Sequence, residues 1–356
     1  MTSSASTATP RRTATFLRRQ QLQTQGFREE ISSEEVVYSE ISADSEIVAD
    51  SEIVADGVSD RQPAKLSITL LWIPPGRFWM GSPPQEPERQ ETEGPQHLVQ
   101  LQGFFMGQTP ITQAQWQRVA QWRERKGEHW SRHLQPQPSF FQPDTQPGKA
   151  APGALASFRL LEGETTTNQR PVESVSWQDA MEFCSRLSQR TGRFYTLPSE
   201  AQWEYACRAG ISKPFHFDGA ITPQLANYDG EQHYIQGYYD YAPRPKASIW
   251  RQTTPVGMFP ANAWGLQEMH GNVWEWCLDE WHHSYEGAPV DGSAWRSANA
   301  HEADPQRLLR GGHWGDWPSC CRSAYRGHNQ LHHVSNGVGF RVVCLPQERS
   351  ASPLKA

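Results

Sequence analysis

An α+β domain that is loop-rich and low in regular secondary structure is the fold class this sequence predicts. Three observations carry the prediction. From Ile68 onward, short runs of β-formers alternate and are cut by Pro and Gly. Only a few stretches have helical spacing, and two of them have a side-chain start signal. The 356 residues include 15 Trp, 27 Gly and 27 Pro, so the core leans on large rings and the backbone turns often.

Taken in chain order, "ITLLWIPPGRFWMGS" from Ile68 reads as a strand, a Pro-Pro-Gly turn and a second strand, and "HLVQLQGFFMGQTPIT" continues in that style to Thr112. "TQAQWQRVAQWRER" has helical spacing, with Trp116, Val119 and Trp122 on one face. Residues 131–170 are polar and rich in Pro, Gln and Gly, and predict an irregular insertion or long loop. Two capped helices follow. Ser176 with Asp179 opens one, Ala180, Phe183, Cys184 and Leu187 face inward, and Gly192 stops it. Ser199 with Gln202 opens the other, Trp203, Ala206 and Cys207 face inward, and Gly210 ends it. Beyond Gly210 periodicity is weak, apart from strand-like runs such as "LLRGGHW" and "GVGFRVVCL". The reading is one domain over 66–347.

Residues 1–65 differ from the rest. A Ser/Thr/Arg segment precedes an acidic one in which "ADSEIVADSEIVAD" repeats a six-residue unit from Ala43 to Asp56. Without tryptophan and with few large apolar residues, this stretch is expected to be a disordered acidic tail, and a docking role for it stays open. Residues 348–356 are expected to be a second tail. The formal net charge of -6 argues against general nucleic-acid binding. No apolar run approaches the roughly 20 residues that span a bilayer, and the N-terminus lacks the apolar centre of a secretion signal. A cytoplasmic protein with its six cysteines reduced is the expectation.

The motifs "FWMGS", "TQAQW", "PVESVSWQDAMEFC", "RFYTLPSEAQWEYACRAG", "TTPVGMFPANAWGLQEMHGNVWEWCLDEW", "RLLRGGHW" and "GVGFRVV" occur in one order over about residues 68–345. As an ordered set they resemble the formylglycine-generating enzyme, or sulfatase-modifying-factor, superfamily. The resemblance implies a C-type-lectin-like α+β fold. It also implies one of several roles: oxidation of a cysteine in the Cys-x-Pro-x-Arg motif of sulfatases with copper and O2, sulfoxide formation beside a fused nonheme-iron domain, siderophore maturation, or ligand display by variable proteins of diversity-generating retroelements.

The enzymes of this family carry a C-x4-C thiol pair after "RGG", suited to Cu(I) because sulfur is a soft ligand. Five positions before Cys321 stands Asp316, and five before Cys320 stands Gly315. Neither frame supplies the second thiol, so copper is not expected. Cys321 is read as a buried thiol, with a disulfide to Cys207 or Cys184 left open. As a nucleophile, Cys321 (or Cys320 beside it) needs a lowered pKa, for which Arg322 and Arg326 are the candidates. The iron branch needs a histidine-rich partner domain, and the chain before Ile68 has no histidine. The pairs His282–His283 and His332–His333 are weak metal signals without further spacing.

"GLQEMHGNVWEW" resembles the family's calcium segment. That implies a structural calcium held by the side chains of Glu268 and Glu275 and the carbonyls of Gly271 and Val273, a donor set of the hard type this ion takes. Backbone hydrogen bonding by Glu275 in a tight turn is the competing reading. A second site would begin at Asn227 and Tyr228. Trp274 and Trp276 share a strand face and predict core packing or a pocket floor.

The C-terminal segment also resembles the variable proteins. Their fixed frame is present as "RGG", Trp314, Pro318, "CRSAYR" (321–326) and "GFRVV" (339–343). The slots between hold unusual residues. His313, Trp314, Asp316, Trp317, Ser319, His328, Asn329, Gln330, His332, His333, Ser335 and Asn336 are the expected ligand contacts, for an unknown protein or small molecule. Exposed Trp and His give rigid, amphipathic contact area. Trp317 and Gln330 cannot arise from an Asn codon by adenine changes alone.

Overall fold

The computed structural model describes residues 26–31, 36–41, 66–143, 160–217, 219–229, 233–235, 238–240, 250–296 and 306–346. Its main sheet is built from segments far apart in sequence. Strands β1 (Gly26–Ile31), β2 (Val36–Ile41), β3 (Leu66–Ile73), β6 (Phe104–Gly107), β7 (Phe194–Thr196) and β14 (Val343–Leu345) form a six-stranded sheet in the order β2-β1-β3-β6-β14-β7. The Pro-Pro-Gly turn leads from β3 into β4 (Gly76–Met80), which pairs antiparallel with β5 (His97–Leu101) and sets Trp79 opposite Leu98. A second sheet has the order β12-β11-β10-β13, from β10 (Trp274–Glu280), β11 (Gln306–Arg310), β12 (Gly327–Gln330) and β13 (Val338–Gly339). Strands β8 (His233–Ile235) and β9 (Tyr238–Asp240) make a separate pair.

The three helices start where the sequence places them. α1 (Gln113–Ala120), α2 (Trp177–Thr191) and α3 (Glu200–Arg208) each carry a complete capping box, on Thr112, Ser176 and Ser199. In each, the hydroxyl accepts the third backbone N–H and the third side chain returns to the cap N–H, so two otherwise unpaired donors are bonded. Gly192 ends α2 in the left-handed conformation, while α3 ends one residue before Gly210, at Ala209. α1 is shorter than its spacing suggests. Trp122 lies past its end but is still 6% exposed, held by the core rather than the helix.

The tail expectation is corrected in part. Residues 26–31 and 36–41 form a hairpin, and β1 pairs antiparallel with β3 from Gly26↔Leu71 to Ile31↔Leu66. Composition averaged over 65 residues hides two short segments, "GFREEI" and "VVYSEI"; the edge of β3 offers the first a ladder of backbone partners, and the first offers one to the second. The remainder of the expected tail, including the SEIV repeat, and residues 348–356 lie outside the described residues. Within 131–170, the described residues form no helix or strand.

Two aromatic clusters fill the core. In one, Trp116 stacks on Phe183 at 5.6 Å and meets Phe340 edge-on at 6.0 Å. The other gathers Trp203, Tyr205, Met269 and Leu308 against the main sheet. Between the sheets runs a set of buried arginines. Arg310, Arg322 and Arg341 are each 0% exposed, and they join segments that no regular ladder connects. Among the described residues, no helix is long and apolar enough to cross a membrane.

Candidate functional site

Strand β11 delivers the chain to Gly311 and Gly312, both at positive φ (100° and 74°). A Cβ on Gly312 would lie 2.7 Å from the Cys321 sulfur, so the turn packs directly on that thiol. From here the chain forms a loop over His313–Trp317 and a 3-10 turn at Pro318–Cys321. Asp316 organises the loop. Its Oδ2 accepts the His313 backbone N–H at 3.0 Å and stands 3.2 Å from His313 Nδ1, and its side chain is hydrogen bonded to Trp274. Burial raises the Asp316 carboxyl above its usual range, opposed by His313. Its backbone oxygen accepts Asp229 N–H at 2.9 Å.

Trp314 donates its indole N–H to the Asn336 carbonyl at 3.1 Å and meets Phe141 edge-on at 5.4 Å. The His313 ring stacks on Trp314 and fills the space where a Cβ on Gly337 would sit. His313, Trp314, Asp316 and Asn336 therefore form one group. Trp274 connects it to the next: its ring packs beside Gly327 and 5.9 Å from Tyr325. On β12, at the sheet edge, His328 and Gln330 point outward while Asn329 is half-buried, and His328 lies 4.1 Å from Trp281. His332 is exposed, and His333 and Ser335 are half-buried. Trp317 is 51% exposed. Ser319 departs from the expectation: it is 7% exposed, because the 3-10 turn points it inward. The sequence does not single out Tyr325 or Trp281 as site residues, since one sits inside the fixed "CRSAYR" frame and the other lies one residue past the end of β10.

The thiols separate. Cys321 is 0% exposed and packs with Phe215, Ile221, Ala226 and Tyr228. Its carbonyl is held by His270 Nδ1 at 2.7 Å, while His270 Nε2 accepts His216 N–H at 3.2 Å. Burial keeps this imidazole neutral by lowering its pKa well below the usual value. Desolvation pushes the Cys321 thiol well above its ordinary range. The arginines expected to lower it are turned away. Arg322 binds Glu86 at 2.6 Å and Glu93 at 2.5 Å, and Arg326 binds Glu200 at 2.7 Å. Cys320 is half-buried and hydrogen bonded to Tyr325, and burial pushes its thiol up to about 11. All six cysteines are free, so no bond joins Cys321 to Cys207 or Cys184. Iodoacetamide should therefore label Cys320 ahead of the other five in the folded protein, faster as pH rises toward 11. Cys320→Ser should leave the folded chain unlabelled on that timescale; equal labelling of Cys321, read by peptide mass spectrometry, would contradict the packing.

The four residues of the calcium segment lie together, but Glu275 is committed. It accepts Arg341 Nε at 2.6 Å, Arg341 Nη2 at 2.8 Å and the Trp203 indole N–H at 2.7 Å. Glu268 Oε1 accepts Gly257 N–H at 2.9 Å, the Phe259 backbone N–H also points at this carboxylate, and Oε2 is buried without a well-formed hydrogen bond. The Gly271 carbonyl accepts Val273 N–H at 3.0 Å. The set offers at most one weakly bonded carboxylate oxygen, and a calcium ion, which takes 6–8 oxygens, would draw its second carboxylate from the Arg341 pair. Asn227 donates its amide to Gln252, Thr254 and Asn272, and Tyr228 donates to the Ile221 carbonyl. Among the described residues, no three His, Cys, Asp or Glu side chains gather as a metal group, the two His–His pairs included.

Burial raises Glu268 to about 7 from 4.5, so the folded state holds this proton between those pH values and the unfolded state does not. Its stabilising contribution is complete below pH 4.5 and is lost as pH rises through 7. Glu268→Gln keeps the Gly257 bond and removes the buried charge. It should stabilise the protein on the order of 2 kcal/mol at pH 8 and have little effect at pH 4, as urea melts at the two pH values will show. Melts with and without calcium add a second reading. A calcium-dependent rise in Tm in the parent that Glu268→Gln abolishes would assign Oε2 to a metal instead.

Two paired sheets, three short capped helices and a loop-borne aromatic and histidine surface on a buried arginine frame define an α+β domain of the C-type-lectin-like, formylglycine-generating-enzyme type. A family model described as the sulfatase-modifying factor enzyme 1-like domain matches residues 56–345, and the chain belongs to that family. It is 29% identical over 308 residues to the formylglycine-generating enzyme of Mus musculus, covering 78% of this chain and 76% of that protein. Among solved structures it is similar to PvdO from Pseudomonas aeruginosa (29% identity, TM-score 0.59, 78% of this chain and 95% of that one). It shares its fold with Treponema denticola variable protein 1 (21% identity, TM-score 0.55, 80% and 98%).

Proposed function

We propose that this chain is a ligand-binding member of the family, with its recognition surface on residues 313–336, in the manner of a diversified variable protein. One observation carries the reading: the fixed frame, apart from the half-buried Trp314 and Tyr325, is buried and most of the slots are not. Arg310, Pro318, Cys321, Arg322, Ser323, Ala324, Arg326 and residues 339–343 are buried, whereas Gly315, Trp317, His328, Gln330, His332 and Val334 are exposed. Residues that hold the scaffold are thus separated from residues free to change, which is the division of labour expected of binding loops on a rigid support. Trp317 and His328 supply anchors of the kind that dominate interfaces. Partner identity follows from the slots, for a protein or small ligand, with no role for nucleic acid or membrane.

A second reading is oxidation of a protein cysteine. The formylglycine-generating enzymes among the relatives favour it, as does the half-exposed Cys320 beside the Tyr325 hydroxyl. Against it stands Asp316 where a second thiol is needed, with Cys321 sealed beneath Gly312. The test is mass spectrometry of a Cys-x-Pro-x-Arg peptide incubated with copper-loaded protein under O2, beside an active control enzyme. The expected result is no conversion. Thiol-to-aldehyde conversion that disappears in Cys321→Ala or Cys320→Ala would replace the binding reading with the oxidase one.

A further inference from the structure

A cavity of about 240 Å³ lies away from the thiols, between α1, the Pro/Gln-rich loop 136–143 and residues 166–168. It is smaller than the roughly 300–1,000 Å³ of pockets for drug-sized molecules. Among the described residues, no charged side chain lines it. Its polar lining consists of neutral carboxamides and hydroxyls, among them Gln117, Gln137, Gln142, Asn168 and Thr166, and its apolar lining is Trp116 with three prolines and Val172.

We propose that this pocket takes a neutral polyhydroxylated ligand, a single sugar unit. The walls are fixed in advance. Gln113 Nε2 donates to the Phe141 carbonyl at 3.0 Å, its Oε1 accepts the Thr167 hydroxyl at 2.7 Å, and Trp116 donates to the Gln135 carbonyl at 2.8 Å. The carboxamides of Gln117, Gln137, Gln142 and Asn168, by contrast, make no side-chain hydrogen bond among the described residues. A carboxamide offers a donor pair and an acceptor together, which matches neighbouring hydroxyls that are each donor and acceptor. The rings of Pro136, Pro138 and Pro143 offer apolar surface to the C–H face of such a ring, while Trp116, 1% exposed, forms the floor beneath.

An anion is disfavoured. The first N–H groups of α1 are already bonded, Gln113 to the Arg170 carbonyl at 2.9 Å, Ala114 to the Asn168 carbonyl at 3.1 Å and Gln115 to the Thr112 hydroxyl at 3.2 Å, so the helix start has no free donors to receive one. This inference does not rest on the proposed recognition surface, and Trp317 takes no part in it.

The test is saturation-transfer NMR on the full chain with methyl α-D-glucopyranoside, methyl β-D-galactopyranoside and N-acetylglucosamine, with Gly-Pro-Gly and sulfate as contrasts. At least one sugar should receive saturation. The transfer should fall at least fivefold in Gln117→Leu and in Asn168→Leu, and should persist in Trp317→Ala. Gln142→Leu serves if either variant fails to fold. The proposal is overturned if no sugar receives saturation, if the transfer survives the pocket variants, or if only the tripeptide or sulfate responds. Loss of transfer in Trp317→Ala alone would move the sugar to the recognition surface.

Discussion

Arg341→Met is expected to cost about 3–5 kcal/mol, the range for breaking a buried ion pair by removing one partner, and to leave little folded protein at 37 °C. Arg341 is 0% exposed. Its guanidinium holds both oxygens of Glu275 and also donates to the carbonyls of Gly107, Gln108 and Gln267. These residues belong to the end of β6, the turn after it, the 252–272 loops and the start of β10. The substitution leaves the buried Glu275 carboxylate with only the Trp203 indole N–H and takes a donor from three carbonyls, of which Gln108 keeps the Gln267 N–H, since methionine matches the length but bonds to none of them. Urea denaturation of Arg341→Met beside Arg341→Met/Glu275→Gln should show the double variant recovering part of the loss. If the single variant is as stable as the parent, the arginine frame does not hold the sheets together as described.

Gly271→Ala should cost at least about 2 kcal/mol, because a non-glycine residue at positive φ is strained and this one also meets backbone. Gly271 has φ 92°, and a Cβ there would stand 2.2 Å from the Asn227 carbonyl oxygen. Asn227 is bridged to Gly271, its carbonyl accepts Asn272 N–H at 2.7 Å, and its amide donates to Asn272 Oδ1 at 3.1 Å. Displacing Asn227 moves Asp229 with it, whose N–H supports the Asp316 carbonyl. The damage should therefore reach the recognition loop. Gly257→Ala is the comparison: it shares a positive φ of 84° but meets only Gln267 Oε1, at 3.8 Å. Thermal melts should place Gly257→Ala near the cost of strain alone and Gly271→Ala well beyond it. Equal losses would mean that the contact with Asn227 relaxes freely.

The helices were legible because their signals are local. A Ser followed three residues later by Asp or Gln bonds within its own turn, and the boxes at Ser176 and Ser199 form as spaced, while the third box, at Thr112, has the same pattern but reads in the sequence only as helical spacing. The inward stripe of α2 is likewise set by its own periodicity, and Ala180, Phe183, Cys184 and Leu187 are all buried. The β1–β2 hairpin was not legible, because it joins the sheet only when β1 pairs with β3, a segment about 40 residues away in the chain. Within the site, the exposure of Trp317 and His328 followed from their slots. The inward turn of Ser319 did not, because a 3-10 turn interrupts the alternation there.

The sequence by itself determined the family, the α+β class, the capped helices and the lack of a thiol at position 316, since each depends on residue identity or short-range spacing. Only the tertiary structure decided what the arginines and carboxylates do. Arg322 finds Glu86 from 236 positions away, Arg341 takes up the Glu275 that resembled a calcium ligand, and Cys321 is sealed by Gly312. Spacing along the chain does not fix which charges meet across a core. Once buried, a charge must be paired, so packing assigns the partners.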